Sequence, residues 1–331
     1  MKTVLVTGSE GNIGHYIIAA FRRRQPDWKI LRVKNGSCEP HWDPVNSYYV
    51  GDLREPALLA LIFQNHEVDY VIHAASTSYS HAGYKARPFS VLHDDCRITL
   101  NVLNYAKNVR KFVFLSSALI YEHANDRLLT EDISANIPAP TSSYGVAKYL
   151  GEQAVQQAGV ERDTKYTIWR PFNVVSPLEP TDGDGRHVFI DFYRRIFKER
   201  VGEFQIFGSG EQVRCFIWVE EAADCIVTAL ERPASDNQII NLARNEPITL
   251  RGLQKLLIGL GKEVGVLPKT YDPIIQPRGN FAGVEMEVRI PSTRKLKTIL
   301  GWESSTSVRE CFKKFVDVKL QIEQDIIGSI S

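Results

Sequence analysis

The chain has 331 residues, and its 40 basic and 39 acidic side chains leave a formal charge of +1, which argues against nucleic acid or an anionic membrane as a partner. Its five cysteines form no CxxC pair and no metal-ligand spacing, so we expect neither a disulfide framework nor a metal site. No apolar run approaches the roughly eighteen residues of a membrane span, and we expect a soluble, cytoplasmic protein.

Strand-like apolar segments alternate with helix-period segments through the first half of the chain. This alternation favours a parallel sheet that is covered by helices on both faces. We therefore predict an α/β fold with a Rossmann-type, doubly wound parallel sheet. The predicted strands cover residues 4–7, 30–33, 48–50, 68–73 and 112–116, and the first predicted helix covers 13–24.

A segment rich in Pro, Gly and Asp at 177–185 marks the point where the chain leaves the main sheet. Beyond it the pattern becomes mixed, which indicates a smaller α/β lobe. We place the main domain at 1–176 and the smaller lobe at 177–331, with some late segments returning to the first domain. The elements predicted in this half cover residues 189–197, 204–207, 216–219, 222–230 and 239–242.

The loop between the first strand and the first helix has the spacing GxxGxxG. Glycines in this position permit a tight turn, so that amides at the helix N-terminus can face a pyrophosphate. We interpret the loop as a dinucleotide-binding site, and a plain turn is the alternative. The residues assigned to the cofactor here are Gly8, Gly11, Asn12, Ile13 and Gly14.

The end of the second strand carries no carboxylate. An acidic residue at this point would accept hydrogen bonds from the 2′-hydroxyl of NAD, whereas a cation tolerates the 2′-phosphate of NADP. Lys34 or Arg32 can pair with such a phosphate, which favours NADP over NAD. The alternative is that both are ordinary surface charges.

Asp52 and Leu53 follow the third predicted strand and stand at the edge of the sheet. An Asp in this place can receive the adenine amino group of the cofactor. The alternative is that Asp52 is the N-cap of a helix over 55–63. Both roles are possible at different atoms.

Ser117 follows the fifth predicted strand, at the carboxyl edge where ligands bind in open α/β sheets. Tyr144 and Lys148 are four residues apart, and therefore lie on one face of a helix that Ser142 or its neighbours can cap. A phenol with an ordinary pKa near 10 needs a nearby cation to act as a base at neutral pH. This trio predicts hydride-transfer chemistry, and the alternative is a half-buried Tyr beside a surface Lys.

These motifs together resemble the extended short-chain dehydrogenases/reductases of the nucleotide-sugar epimerase/dehydratase family, over nearly the full length. The resemblance implies a Rossmann domain for NAD(P) and a second lobe for a nucleotide sugar. It implies a homodimer through helices that flank the YxxxK segment. The matching segments are TGSEGNIG (7–14), GDL (51–53), HAAS (73–76), FLSSALIY (114–121), YGVAK (144–148), RPFNVVSP (170–177), FGSGEQVRCFIWVEEAA (207–223) and LGW (300–302).

The resemblance also implies roles for single residues. Tyr144 and Lys148 contact the cofactor as well as catalysing the reaction. The further residues implied at the cofactor are Ala74, Ala75 and Pro171, and those implied at the substrate are Ser76, Ser117, Asn173, Arg214 and Arg278. An Arg fork matches the oxygens of a diphosphate, and for each Arg a surface salt bridge is the alternative.

The chain departs from the family pattern beside Ser117. Dehydratases and decarboxylases of the family carry acidic residues where this chain has Ala118 and Leu119, so both chemistries are disfavoured. Cys215 stands in place of the usual Asp, Glu122 in place of a Gly, and Asp95 in place of a common Asn. These changes affect the sugar site. The nucleobase and the sugar that it accepts depend on side chains of the second lobe such as His187, Val188 and Phe189.

The sequence therefore predicts an NAD(P)-dependent enzyme that acts on a nucleotide sugar. The leading hypothesis is a 4-epimerase, which oxidises the sugar C4 hydroxyl and returns the hydride to the other face. The alternative is an NADPH-dependent reductase of a 4-keto sugar. A non-catalytic NADP(H)-binding sensor is a further possibility, which the retained Tyr144 and Lys148 disfavour.

Overall fold

The computed structural model describes residues 1–36, 39–45, 47–77, 86–125, 127–181, 187–278 and 287–330. The main sheet has eight strands in the order β12-β7-β6-β5-β1-β2-β4-β3, and all neighbours pair in parallel except β3 and β4. Its strands are β1 (Thr3–Thr7), β2 (Lys29–Lys34), β3 (His41–Asp43), β4 (Tyr48–Val50), β5 (Tyr70–His73), β6 (Lys111–Leu115), β7 (Lys165–Pro171) and β12 (Gln238–Leu242).

The central strands β1, β5 and β6 are buried on both sides because helices cover both faces of the sheet. Val4 and Val6 face one helical layer, whereas Leu5 faces the other. The first layer contains α1 (Gly14–Arg24), α6 (Val219–Ala229) and α8 (Arg294–Leu300). The second contains α2 (Pro56–Asn65), α3 (Pro88–Tyr105) and α4 (Ser143–Arg162). The predicted α/β fold with its doubly wound parallel sheet is confirmed.

The remaining elements surround a second core that is rich in Phe. Three two-stranded pairs lie here: β8 with β11, β9 with β14, and β10 with β13. The strands are β8 (Val174–Val175), β9 (Glu203–Phe207), β10 (Val213–Cys215), β11 (Ile217–Trp218), β13 (Pro247–Thr249) and β14 (Ile274–Arg278). The helices are α5 (Val188–Tyr193), α7 (Leu250–Glu263) and α9 (Val308–Ile330). No helix in the described ranges is long and apolar enough to cross a membrane.

One detail differs from the sequence prediction. The short edge strand β3 was not predicted, so Ser117 follows the sixth strand in chain order and not the fifth. Strand β12 lies late in the chain but pairs with β7 at the edge of the main sheet. The late α6 also packs on α1 in the first core. Because β1, β5 and β6 pair in parallel, their carboxyl ends lie at one edge of the sheet.

Candidate active site

The glycine loop follows β1 and closes tightly against the end of β5. Gly8 has φ +68°, and a Cβ on it would lie 2.6 Å from the backbone nitrogen of Ala75. A Cβ on Gly14 would lie 2.0 Å from the carbonyl oxygen of Gly8, and Gly11 donates its amide to the same oxygen at 3.0 Å. The structure thus brings the loop and Ala74–Ala75 together in a packing that only glycine permits.

The N-terminus of α1 is the part of the loop that can receive an anion. Ile13 is the N-cap and makes no side-chain capping bond, and the first turn carries no acidic residue. Asn12 accepts a hydrogen bond from Ser176 through its backbone oxygen, at 3.3 Å. The amide groups of this turn and the positive end of the helix dipole fit a pyrophosphate, so the loop residues suit a dinucleotide.

Two cations at the end of β2, Arg32 and Lys34, lie beside the loop, and Glu10 of the loop contacts the first of them. Arg32 contacts the Glu10 carboxylate at 2.5 Å, between Nη2 and Oε1. Lys34 donates to the Tyr48 hydroxyl at 3.2 Å. Ser9 Oγ donates to the Val33 carbonyl at 2.9 Å, which ties the loop to this strand. The predicted cations therefore share their place with a carboxylate that comes from the loop itself.

Asp52 is not a helix N-cap. The helix α2 begins at Pro56 with Glu55 as its N-cap, whereas the Asp52 carboxylate accepts from the Arg54 amide at 2.8 Å and from its guanidinium at 2.6 Å. That alternative interpretation of Asp52 is wrong because Arg54, two residues away, takes both carboxylate oxygens. Leu53 is buried beside it.

The helix α4 that carries Tyr144 has a firmly held N-terminus. Ser142 is its N-cap, and its Oγ accepts from the Gly145 amide at 3.3 Å. The buried Glu122 carboxylate accepts hydrogen bonds from the backbone and hydroxyl groups of Thr141 and Ser142, the shortest at 2.7 Å. Glu122, a departure from the family pattern, thus anchors this helix start. The sequence interpretation missed this contact, and only the unusual residue type at 122 signalled it.

Tyr144 lies at the carboxyl edge of the sheet, where its hydroxyl is hydrogen-bonded to Ser76 and Ser117. Burial raises the pKa of Tyr144 above its ordinary value and the Asp95 carboxylate raises it further, while the two Ser hydrogen bonds lower it in part. Ser117 Oγ also accepts from the Leu119 amide at 3.1 Å. The structure therefore brings Ser76, Ser117 and Tyr144 to one point.

Lys148 lies one helical turn beyond Tyr144 and is buried, with 4% of its surface exposed. The alternative of a surface Lys is therefore wrong. Its Nζ lies 5.4 Å from the centroid of the Tyr144 ring and 3.9 Å from Asp95 Oδ2. Burial lowers the pKa of Lys148, and the Asp95 carboxylate opposes that shift.

Asp95, on α3, connects these groups. Its Oδ2 accepts from Ser76 Oγ at 2.8 Å, and its Oδ1 accepts from Thr77 Oγ1 at 2.7 Å. Asp95 thus contacts both Ser76, a partner of Tyr144, and Lys148. The sequence interpretation marked this residue as a departure from Asn but did not assign it a contact.

His73 lies directly beneath this site at the end of β5. Its ring is hydrogen-bonded to Thr7 Oγ1 at 2.7 Å and to Thr99 Oγ1 at 3.1 Å. Burial, together with the nearby Lys148 ammonium, lowers the pKa of His73 to about 3. The ring is therefore neutral at neutral pH and adds no charge to the site.

A second buried ion pair lies behind Ser117. Arg170 donates to Glu152 at 2.9 and 2.7 Å, and both residues are almost fully buried. Ser116 Oγ donates to Glu152 at 2.5 Å. The two neighbouring serines therefore have different partners: Ser116 is hydrogen-bonded to the buried Glu152, and Ser117 is hydrogen-bonded to Tyr144.

The residues predicted at the substrate diphosphate occupy the second part of the molecule. Asn173 has φ +38° and its Nδ2 donates to the Cys215 carbonyl at 2.8 Å, next to the buried Arg214. Pro171 ends β7, two residues before Asn173. Arg278 ends β14, which pairs with β9, but its side chain lies outside what the structure describes. Asn173 therefore contacts the residue that follows Arg214, and the side-chain part of the Arg278 prediction lies outside the described residues.

Comparison with known proteins places this arrangement in a family. Residues 4–243 match the model of the NAD dependent epimerase/dehydratase family. The chain belongs to that family. The predicted family and the prediction that the chain is an enzyme of the NAD-dependent type are thereby confirmed.

Members of the family and of its fold include several nucleotide-sugar enzymes. The chain is 26% identical over 317 residues to a UDP-glucose 4-epimerase of Lactobacillus helveticus, covering 91% of each chain. It is 28% identical over 267 residues to a putative GDP-L-fucose synthase 2 of Oryza sativa subsp. japonica, covering 78% of this chain and 74% of the relative. The structure of Thermotoga maritima UDP-glucose 4-epimerase with UDP-glucose superposes with a TM-score of 0.82 at 25% identity, covering 97% and 99% of the two chains.

Proposed function

We propose that the chain is a nucleotide-sugar 4-epimerase. The observation that carries this proposal is the Tyr144 hydroxyl, hydrogen-bonded to Ser117 and Ser76 beside the buried Lys148, at the sheet edge that the glycine loop also borders. The likeness to epimerases of known structure supports it. Ala118 and Leu119 form a short 3₁₀ turn after Ser117 and offer no acid or base, which disfavours dehydration.

In this proposal, Tyr144 as phenolate takes the proton of the sugar C4 hydroxyl while Ser117 holds the same oxygen. A nicotinamide dinucleotide held at the glycine loop would supply the acceptor for the C4 hydride and the donor for its return. The Lys148 ammonium stabilises the phenolate, and burial strengthens that attraction. The keto sugar then rotates, so that its other face is presented to the same site. Tyr144 returns the proton to the C4 oxygen, and C4 regains a hydride on that other face.

We assign the diphosphate of the sugar nucleotide to Asn173, Arg214 and Arg278. The dinucleotide contacts Gly8, Gly11, Asn12, Ile13, Gly14, Asp52, Leu53, Ala74, Ala75 and Pro171, with Lys34 at the ribose. A screen of UDP-, GDP-, CDP- and dTDP-sugars by thermal shift tests the substrate class, because a bound ligand raises the melting temperature.

A Tyr144→Phe variant tests the central role. We expect turnover to fall by about 10²- to 10⁴-fold, the usual contribution of a positioned acid or base, and dinucleotide affinity to fall far less. Tyr166→Phe is the matched control, because Tyr166 lies near the amino-terminal end of β7, opposite the site. Full turnover in Tyr144→Phe would refute the proposal.

A reductase of a 4-keto nucleotide sugar is the second candidate, and two observations favour it. The Asp95 carboxylate disfavours the phenolate of Tyr144, and a protonated Tyr144 suits donation to a carbonyl oxygen. The cations Arg32 and Lys34 at the end of β2 also favour NADP(H), which a reductase consumes. An epimerase converts its substrate without net loss of cofactor, so stoichiometric NADPH consumption would establish the reductase.

We also propose that the protein forms a homodimer through α3 and α4. These helices pack on each other, and they expose Phe89 and Leu100 from α3 and Leu150 and Val160 from α4. Exposed apolar side chains of this size are typical of interfaces when they are contiguous. Light scattering on the intact protein gives the mass, and Leu100→Glu should lower it to that of a monomer.

A further inference from the structure

The strand β2 lacks the carboxylate that would recognise a 2′-hydroxyl, but the glycine loop brings a carboxylate to the same place. Glu10 lies in the loop and contacts Arg32 on β2, although 22 residues separate them in the sequence. The Glu10 side chain is 42% exposed and the Arg32 side chain 19% exposed. The carboxylate is therefore partly open to solvent.

The two cations at this site lie against one aromatic ring. Arg32 Cζ lies 5.5 Å and Lys34 Nζ 5.2 Å from the centroid of the Tyr48 ring. Both positions suit cation–π contacts. Of the two cations, Lys34 hydrogen-bonds to the neutral Tyr48 hydroxyl, whereas Arg32 is paired with the charged Glu10.

We propose that Glu10 determines the selectivity of this enzyme at the 2′ position of the cofactor ribose. A 2′-phosphate carries about two negative charges, so it must compete with Glu10 for the Arg32 guanidinium and is repelled by the carboxylate. A 2′-hydroxyl carries no charge and can donate a hydrogen bond to a carboxylate. Glu10 thus limits the preference for NADP(H) that Arg32 and Lys34 would otherwise create.

This inference rests on the proposed binding of a dinucleotide at the glycine loop. A structural role for the Glu10–Arg32 pair would instead hold the loop in shape, and its loss would weaken both dinucleotides in parallel. The ratio of the two affinities separates these roles, because only a contact at the 2′ position distinguishes NADPH from NADH.

The test is competition between NADPH and NADH for the full-length chain, measured at low and at high salt. We expect Glu10→Gln to shift the affinity ratio towards NADPH by about threefold to tenfold, the scale of a partly exposed ion pair. The shift should shrink at high salt, because salt screens exposed charges. The fragments 2′,5′-ADP and 5′-AMP, which differ only in the 2′-phosphate, should show the same shift.

Two further variants make the result specific. Glu263→Gln makes the same change of charge in an exposed pair with Arg309, in the second part of the molecule, and should leave the ratio unchanged. In an Arg32→Gln background, Glu10→Gln should shift the ratio in the same direction but by less, because the competition for the guanidinium is gone while the repulsion of the 2′-phosphate remains. An unchanged ratio in Glu10→Gln, or a parallel change of both affinities, overturns the inference while dinucleotide binding stands. Failure of the wild-type chain to bind either dinucleotide overturns both.

Discussion

Two groups of charges border the candidate site, and they differ mainly in their exposure to water. The group around Lys148, Asp95 and the Arg170–Glu152 pair is buried. The group around Glu10, Arg32 and Lys34 lies at the surface, although its ion pair is shorter than that of Lys148 and Asp95. Burial increases the interaction between charges, whereas water and salt weaken it. The buried group can therefore alter proton affinities and stability, and the exposed group can alter ligand preference at little cost to folding.

The largest expected difference concerns stability. Glu152→Gln leaves the Arg170 guanidinium buried without its carboxylate, and we expect the free energy of unfolding to fall by about 3–5 kcal/mol. Glu10→Gln breaks a partly exposed pair, and we expect a change within about 1 kcal/mol. Urea unfolding of both variants measures the two values, and similar losses would contradict the comparison.

A second effect on stability is expected from His73 in acid. In the folded chain the pKa of His73 lies at about 3, against 6.5 for an ordinary His. The unfolded chain binds one more proton between these values, so the free energy of unfolding falls as the pH drops from 6.5 towards 3, by about 1.4 kcal/mol per pH unit at most.

The pH dependence of urea unfolding measures this contribution. A His73→Asn variant should be less stable at neutral pH but should lose less stability on acidification than the wild type. His93→Gln is the control, because His93 is exposed beside Asp94. An equal loss in His73→Asn and the wild type would show that other groups cause the acid sensitivity.

The smallest predicted effect concerns the pKa of Tyr144. Asp95 raises that pKa, so Asp95→Asn should lower it and extend oxidation of the sugar to lower pH. We expect turnover on the acidic side to rise by about twofold to tenfold, since one pKa unit corresponds to a factor of ten. The tyrosinate absorbance of Asp95→Asn, with Tyr144→Phe subtracted, follows the same ionisation directly.

Asp94→Asn is the matched control for this variant. Asp94 is the next residue on α3, and its carboxylate accepts from Arg54 at 2.8 Å. It should leave the pH profile unchanged. An unaltered tyrosinate titration in Asp95→Asn would show that burial alone, and not the carboxylate, raises the pKa of Tyr144.

Local patterns were sufficient to predict much of the fold and part of the candidate site. The parallel sheet follows from apolar strands and amphipathic helices in alternation, which are short-range signals. The glycine loop and the Tyr144–Lys148 pair each lie within one short segment. In these features, residues that are close in the sequence are also close in the structure.

The charged partners could not be predicted in this way, because each pair joins distant segments. Asp95 and Lys148 meet only because α3 packs on α4, and Glu10 meets Arg32 only because the glycine loop bends back over β2. Asp52 was open to two interpretations, and Arg54 excluded one of them. The strand β3 has three residues and no clear alternation of apolar and polar side chains, so it gave too weak a signal.

The pairing of β12 with β7 has a consequence for the synthesis of the protein. Residues 238–242 complete the main sheet, yet about half of the second core precedes them in the sequence. As the chain leaves the ribosome, β7 therefore presents an open edge until about seventy further residues have emerged. A fragment that ends at residue 176 keeps that open edge permanently, so the whole chain is the unit to express.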